Sequence, residues 1–256
     1  MIELLNEEIY NLSSLCEGKK SVILWAVVEG NMGKAWVDSK DNPTIGIVLV
    51  ADFCYLLGSI KDEKDEIKVK ELLDKCKGRI IVVDDFSWVA TIEKYYSHSL
   101  KRFKRYAIKR EPDIFQEKLF NDYISAVEDE FKIDRIDEDI YYKVLEDSFM
   151  ADCCSNFSSL EGFMKYGIGY VIAYKGEIIS AASSYSYCEG YIDITIGTKK
   201  EYRQKGLALA CASKLILECL EKKIYPVWDA VDMRSVALAE KLGYHFDKEY
   251  EVYSIS

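Results

Sequence analysis

Thr198-Lys199-Lys200-Glu201-Tyr202-Arg203-Gln204-Lys205-Gly206-Leu207-Ala208 is the stretch from which the fold is read. Upstream, residues 191–198 alternate Ile192, Ile194 and Ile196 with more polar side chains, the period of a half-buried strand. Downstream, Ala208, Cys211, Ala212, Leu215, Ile216 and Cys219 hold one face of a helix. On the other face Lys214–Glu218 and Glu218–Lys222 stand one turn apart. A strand therefore runs through a turn into a helix. The first amides of a helix lack internal partners, and the helix dipole favours an anion beside them. Gly206 removes a Cβ from that approach, Ala208 keeps the entry narrow, and Arg203 and Lys205 add positive charge. Residues 203–208 read as a cradle for a diphosphate, although a plain helix start accounts for R-x-x-G-x-A equally well. The loop is neither a Walker A sequence nor a dinucleotide fingerprint, because the required glycines are missing.

Outward from this stretch the pattern continues in both directions. A strand at 225–231 carries Pro226, which has no N–H to give to a ladder; a helix at 234–242 and closing strands to 255 follow. Toward the N-terminus come strands at 170–174 and 178–187, with turns at Lys175-Gly176 and Glu189-Gly190. Together with 191–198 they suit an antiparallel meander. Helices at 140–149 and 159–166 precede it. The charged segment 133–140 reads as a solvated linker, which sets a domain boundary near 130. Residues 1–130 form a smaller α/β domain: a helix over 1–20, β-rich runs at 21–28 and 44–57, a helix at 64–77 ended by Gly78, a buried-type strand at 79–83, a helix at 89–98, extended chain at 104–108 and a helix at 113–130. No internal repeat or low-complexity segment is visible.

Arg203-Gln204-Lys205-Gly206-Leu207-Ala208 resembles the Q/R-x-x-G-x-G/A motif of the GNAT family of N-acetyltransferases. Residues 191–198 fall where that family has its fourth strand, and 225–231 resemble its fifth. Asp232-Met233-Arg234-Ser235 followed by Leu238-Ala239-Glu240-Lys241-Leu242-Gly243-Tyr244 looks like its N-x-x-[AS]…KLGF ending. The likeness covers 140–256 and is closest to a bacterial, zwittermicin-resistance-like branch with an extra N-terminal domain. It implies an α/β (α+β) fold, with a mixed sheet flanked by helices in 131–256 and the first domain shaping the acceptor site.

It also implies acetyl-CoA as co-substrate and a small-molecule or peptide amine as acceptor, with no metal and with homodimer assembly left open. In such a site the amide of Ile196 polarises the thioester carbonyl. Gly197 and Thr198 meet the pantetheine arm, which adds to the strand edge. Residues 203–208 hold the diphosphate, and Asp232 and Ser235 stand beside the cofactor. A protonated amine needs a base before it can attack, and Asp193 and Glu189 are the candidates; a solvated strand face explains the same carboxylates. Two positions depart from the family. Asp232 stands where asparagine is usual, and Ala239 where a tyrosine often protonates the leaving thiolate, so that Ser235, Tyr244 or water must replace it. A chain that binds acetyl-CoA as a sensor without turning it over, and one that acylates a hydroxyl or uses a larger acyl group, are competing readings.

The composition narrows these classes. A formal charge of −10 disfavours a nucleic-acid binder and mildly favours a cationic substrate. No apolar stretch approaches the roughly 20 residues of a membrane span, and no basic-then-apolar leader opens the chain, so a cytoplasmic protein is expected. The eight cysteines form no C-x-x-C pair and read as reduced core thiols, Cys153-Cys154 included. Two histidines, His98 and His245, make a zinc site a poor expectation. The basic, aromatic run from Lys101 to Tyr106, with Lys109 and Arg110, reads as a solvated face or as a phosphate contact. Residues 163–170 read as a helix C-cap or as a substrate-facing loop.

Overall fold

The computed structural model describes residues 1–256, and the chain divides into two compact units. The first comprises Met1–Arg105 with Glu249–Ser256; the second is Tyr106–Lys248. The fold is mixed α/β, its sheets flanked by helices. No helix is long and apolar enough to cross a membrane.

In the first unit the elements run β1 (Ile2–Glu3), α1 (Ser13–Cys16), α2 (Val22–Val28), β2 (Lys34–Val37), β3 (Ile45–Val50), β4 (Phe53–Gly58), α3 (Glu63–Leu73), β5 (Ile80–Val83), α4 (Phe86–Tyr96) and β6 (Leu100–Ile108). β1 to β4 pair antiparallel in sequence order, and β5 joins β4 in parallel. Ile45, Ile47, Leu56, Val69, Leu73, Trp88 and Ile92 form its core.

Two expectations fail here for local reasons. Residues 22–28 are a helix, not a strand: Ser21 Oγ caps it by accepting from Leu24 N, and all seven residues but Trp25 are buried. A helix buried on every side shows no 3.6-residue period, so its β-branched run imitates a strand. Residues 1–20 form no continuous helix. Ile2 and Glu3 pair with Val37 and Trp36 as an edge strand, followed by a 3₁₀ turn at Ile9–Leu12 and the single turn of α1.

The second unit runs α5 (Glu117–Ser125), β7 (Lys132–Arg135), α6 (Glu138–Glu146), α7 (Leu160–Tyr166), β8 (Gly169–Tyr174), β9 (Glu177–Cys188), β10 (Tyr191–Thr198), α8 (Leu207–Glu221), β11 (Tyr225–Val227), β12 (Asp229–Ala230), α9 (Met233–Lys241) and the first residues of β13 (Phe246–Ile255). Its five-stranded sheet has the order β11-β10-β9-β8-β7. The charged segment 133–140 is not a linker. Its first part is β7, paired Lys132↔Ala173 to Arg135↔Tyr170, and Asp137 Oδ1 caps α6 by accepting from Ile140 N. Charge along a strand edge discourages further pairing, and there it imitates a solvated linker.

The compact units part at 105/106, not near 130. Helix α5 packs on α8 with Phe120 fully buried, so the residues before 130 already belong to the second core. The last residues, 249–256, return to the first unit, where Tyr253 pairs with Ile81.

Apart from α5 ahead of β7 and the short β12 before α9, the second run of elements repeats the order of the first: strand, two helices, three antiparallel strands, helix, parallel strand, helix, closing strand. This repeat is invisible in the sequence because pairing pattern and burial, not residue identity, carry it.

Candidate active site

The site is built on β10. Its first residues pair in parallel with β11, as Tyr191↔Tyr225, Ile192↔Pro226 and Asp193↔Val227. The chain then leaves at Trp228, and β12 pairs instead with Ala107 and Tyr106. Residues 194–198 therefore have β9 on one side and no strand on the other. Pro226 costs this ladder nothing. Tyr225 N donates to Gly190 O at 2.8 Å, so by alternation the nitrogen of Pro226 faces outward.

Two hydrogen bonds fix which backbone groups line the opening. Lys199 N donates to Ile179 O at 2.9 Å, so Thr195 and Gly197 turn their backbone groups toward β9. Gly190 O accepts from Tyr225, so Ile192, Ile194, Ile196 and Thr198 turn theirs the other way. Of these, Ile194 N donates to Asp193 Oδ1 at 3.1 Å, and Thr198 O accepts from Arg203 Nε at 3.2 Å. The amide and carbonyl of Ile196 are left facing the gap, a ready edge for an extended chain to join.

Asp193 marks the apex of the opening. The β9–β10 register shifts between Asp193 and Ile194, leaving Tyr185 as the extra residue of a bulge. Such bulges re-aim side chains beside functional sites. Asp193 is 7% exposed and lies on the face away from Ile192. Across from it Ser186 is wholly buried, and its hydroxyl has no hydrogen-bond partner. Gly197, on the same face, leaves 3.4 Å between a built Cβ and both Met150 Sδ and the Phe149 ring. Glu189 is exposed on the β9–β10 turn, outside the strand that carries Asp193.

At the far end of β10 the chain turns through residues 200–202 and enters α8. Gln204 and Gly206 both adopt positive φ, 64° and 78°. Gly206 is the N-cap of α8 and no side chain caps this helix. A Cβ added at Gly206 meets nothing within 4 Å. Arg203, Gln204, Lys205 and Gly206 are exposed, and Lys205 Nζ sits 5.2 Å from the centre of the Phe131 ring. Leu207 is buried and Ala208 half-buried, holding the helix start against the core. The start of α8 thus offers free amides and positive charge to an anion. Thr198 hands its hydroxyl to Ser180 Oγ at 2.8 Å, which ties the strand end down.

Asp232 caps α9, accepting from Arg234 N and Ser235 N at 2.9 and 3.0 Å, and Arg234 Nε pairs with its second oxygen at 2.9 Å. That ion pair holds the Asp232 carboxyl below its usual range and offsets its charge. Ser235 Oγ accepts from Trp228 Nε1 at 3.1 Å and keeps its own proton to give. Ala239 is fully buried. Tyr244 is 1% exposed, its hydroxyl donates to Pro226 O at 2.8 Å, and burial pushes its pKa well up.

Arg110 lies just past β6, half-buried, its Cζ 5.5 Å from the centre of the Tyr191 ring. Burial lowers its pKa more than the nearby Asp193 carboxylate raises it. Sequence reasoning did not single Arg110 out; its only signal was a place in the basic run. Two other cations of that run are held elsewhere: Arg102 pairs with Glu93 and Glu251, and Lys104 with Glu249. Gly167 ends α7 with its amide donating to Phe163 O, so residues 163–170 are a helix end running into β8. All eight cysteines are buried free thiols, and burial pushes Cys153 up to about 12.

The corresponding place in the first unit is closed. β4 pairs with β5 from Phe53↔Ile80 to Leu56↔Val83 without a break. Asp62 Oδ1 caps α3 by accepting from Asp65 N at 3.0 Å, and Glu63, Asp65 and Glu66 occupy its first turn. An anion would meet carboxylates there in place of amides.

The sequence profile of the GNAT acetyltransferase family matches residues 13–253. A GCN5-related N-acetyltransferase-like protein from Streptococcus suis is 33% identical, with a TM-score of 0.87 over 98% of this chain and 99% of that one. An uncharacterised N-acetyltransferase of Bacillus subtilis is 26% identical over 171 residues, 65% of this chain. That match spans 62% of the relative's own length, less than two thirds. A tandem GNAT protein from the clavulanic acid biosynthesis pathway shares the fold at 11% identity, with a TM-score of 0.58 over 99% of this chain and 97% of that one.

Proposed function

Since the chain belongs to the GNAT acetyltransferase family, we propose that it moves the acetyl group of acetyl-CoA to a primary amine of a small molecule or peptide, by direct attack in a ternary complex. One observation carries this reading: the unpaired edge of residues 194–198 runs directly into the uncapped start of α8. An extended thioester with a diphosphate at its far end needs those two features in that order. Bound acetyl-CoA supplies an activated acyl carbon. The amides of α8, with Arg203, Gln204 and Lys205, hold the diphosphate. Ile196, Gly197 and Thr198 seat the arm, and Ile196 N donates to the thioester oxygen as charge develops there.

Asp193, at the apex, takes the proton of the attacking amine. The nitrogen–carbon bond forms, the carbon–sulfur bond breaks, and the thiolate receives a proton from water or from Ser235 Oγ. Asp232 positions Ser235 by capping α9. Likeness to the zwittermicin-resistance-like branch is part of the same proposal.

Thiol release from acetyl-CoA, measured against polyamines, aminoglycosides, amino acids and peptides, tests it. Asp193→Asn is expected to lower kcat at neutral pH far more than it weakens acetyl-CoA binding; an unchanged kcat removes Asp193 as the base. Buried Ala239 at the usual tyrosine position favours a second reading, an acetyl-CoA sensor. Tight binding with no release to any amine selects the sensor.

A further inference from the structure

We propose that Arg110 binds a carboxylate carried by the acceptor, so that the amine acetylated here is an amino acid or an amine of amino-acid type. The inference rests on the reading above for the transfer itself and names the substrate class of the same site.

Arg110 is a cation close enough to the apex to feel the Asp193 carboxylate. Its guanidinium stacks on Tyr191, and no hydrogen bond or ion pair ties it to the chain. Tyr191 and Asp193 are two residues apart on β10, so they share one face of the sheet, about 7 Å apart. Asp193 supplies the largest charge acting on Arg110. A half-buried cation and a buried carboxylate thus stand side by side at the apex of the opening. A molecule bearing both an ammonium and a carboxylate matches that pair, with its amine toward Asp193 and its acid toward Arg110.

The planar fork of a guanidinium suits bidentate contact with a carboxylate. Tyr191, 40% exposed, and half-buried Tyr225, with ring centres 6.4 Å apart, give the acceptor an aromatic wall. Arg110 is not placed to hold the diphosphate. Tyr191 and Thr198 are at opposite ends of β10, about 23 Å apart.

The test uses the full chain and matched pairs of compounds, each an amino acid beside its carboxamide and its decarboxylated amine. Turnover is measured with acetyl-CoA, and thermal protection with CoA present. For the wild type, the carboxylate member is expected to have at least tenfold higher kcat/KM, or to protect where its partners do not. Arg110→Gln is expected to raise its KM, or weaken its protection, at least 30-fold, leaving the carboxamide and acetyl-CoA affinity unchanged; Arg110→Lys restores part of the loss. No preference for the carboxylate member in either readout overturns the proposal, as does an equal loss for all members in Arg110→Gln. Carboxylate-dependent protection without acetyl transfer sinks the transferase reading alone.

Discussion

Gly206 and Gly78 make a matched pair in which the cradle can be tested apart from stability. Their φ values are 78° and 72°, and a Cβ added at either meets nothing within 4 Å. An alanine held in the left-handed region costs about 1–2 kcal/mol. With no clash at either site, Gly206→Ala and Gly78→Ala should lose the same stability, on the order of 2–8 °C in Tm for a chain of this size. Their effect on acetyl-CoA should differ. At Gly206 the open space is where a diphosphate would approach the α8 amides, and Gly78 lies in the first unit. The methyl group fills that space, and loss of one charge-assisted contact is worth about 1.5–3 kcal/mol. Titration calorimetry with acetyl-CoA should show Kd raised at least tenfold for Gly206→Ala and unchanged for Gly78→Ala, with one site per chain in the wild type. Equal affinity in both variants would refute the cradle, and a second site per chain would refute the closed character of the first unit.

Two further predictions concern what holds the site in place. Glu218 on α8 accepts from Arg135 Nε and Nη2 at 2.9 and 2.8 Å and from Tyr170 Oη at 2.9 Å, and its side chain is 11% exposed. Burial alone would raise its pKa, but Arg135, Lys222 and Tyr170 outweigh it and bring the carboxyl from 4.5 to about 2. A carboxyl with a depressed folded pKa stabilises fully above 4.5 and loses that stabilisation as pH falls through about 2, here about 3 kcal/mol. Glu218→Gln should therefore be less stable than wild type at pH 7, with the gap closing between pH 4.5 and 2; a gap independent of pH in denaturant titrations refutes the linkage. Tyr244→Phe removes the only hydroxyl reaching Pro226 O and should cost about 1–3 kcal/mol. Its kcat per folded molecule should stay at the wild-type value, and a fall in kcat with full folding would make Tyr244 the acid.

Much of the framework of the candidate site was legible because its signals are local. The strand before Thr198, the left-handed Gly206 and the apolar face of α8 lie within one short stretch, and backbone geometry follows from residue type there. Asp232 as a cap and Asp193 opposite Ile192 follow from the same short-range rules. The pairing of β12 with Ala107 and the stacking of Arg110 on Tyr191 were not legible, because each joins residues far apart in the chain; the bulge at Asp193 is local but exists only in the register that β9 and β10 adopt once paired.

Locally, then, the sequence by itself determined a strand, a glycine turn and an uncapped helix start, since side-chain period and glycine conformation need no distant partner. Tertiary structure alone decided that 22–28 is a buried helix, that the charged run at 133–140 opens the second sheet, and that the last strand finishes the first unit. It also decided that one unit holds an open strand edge and the other a closed one. Burial and strand pairing are properties of the assembled chain, and identical local patterns serve either outcome until the neighbours are in place.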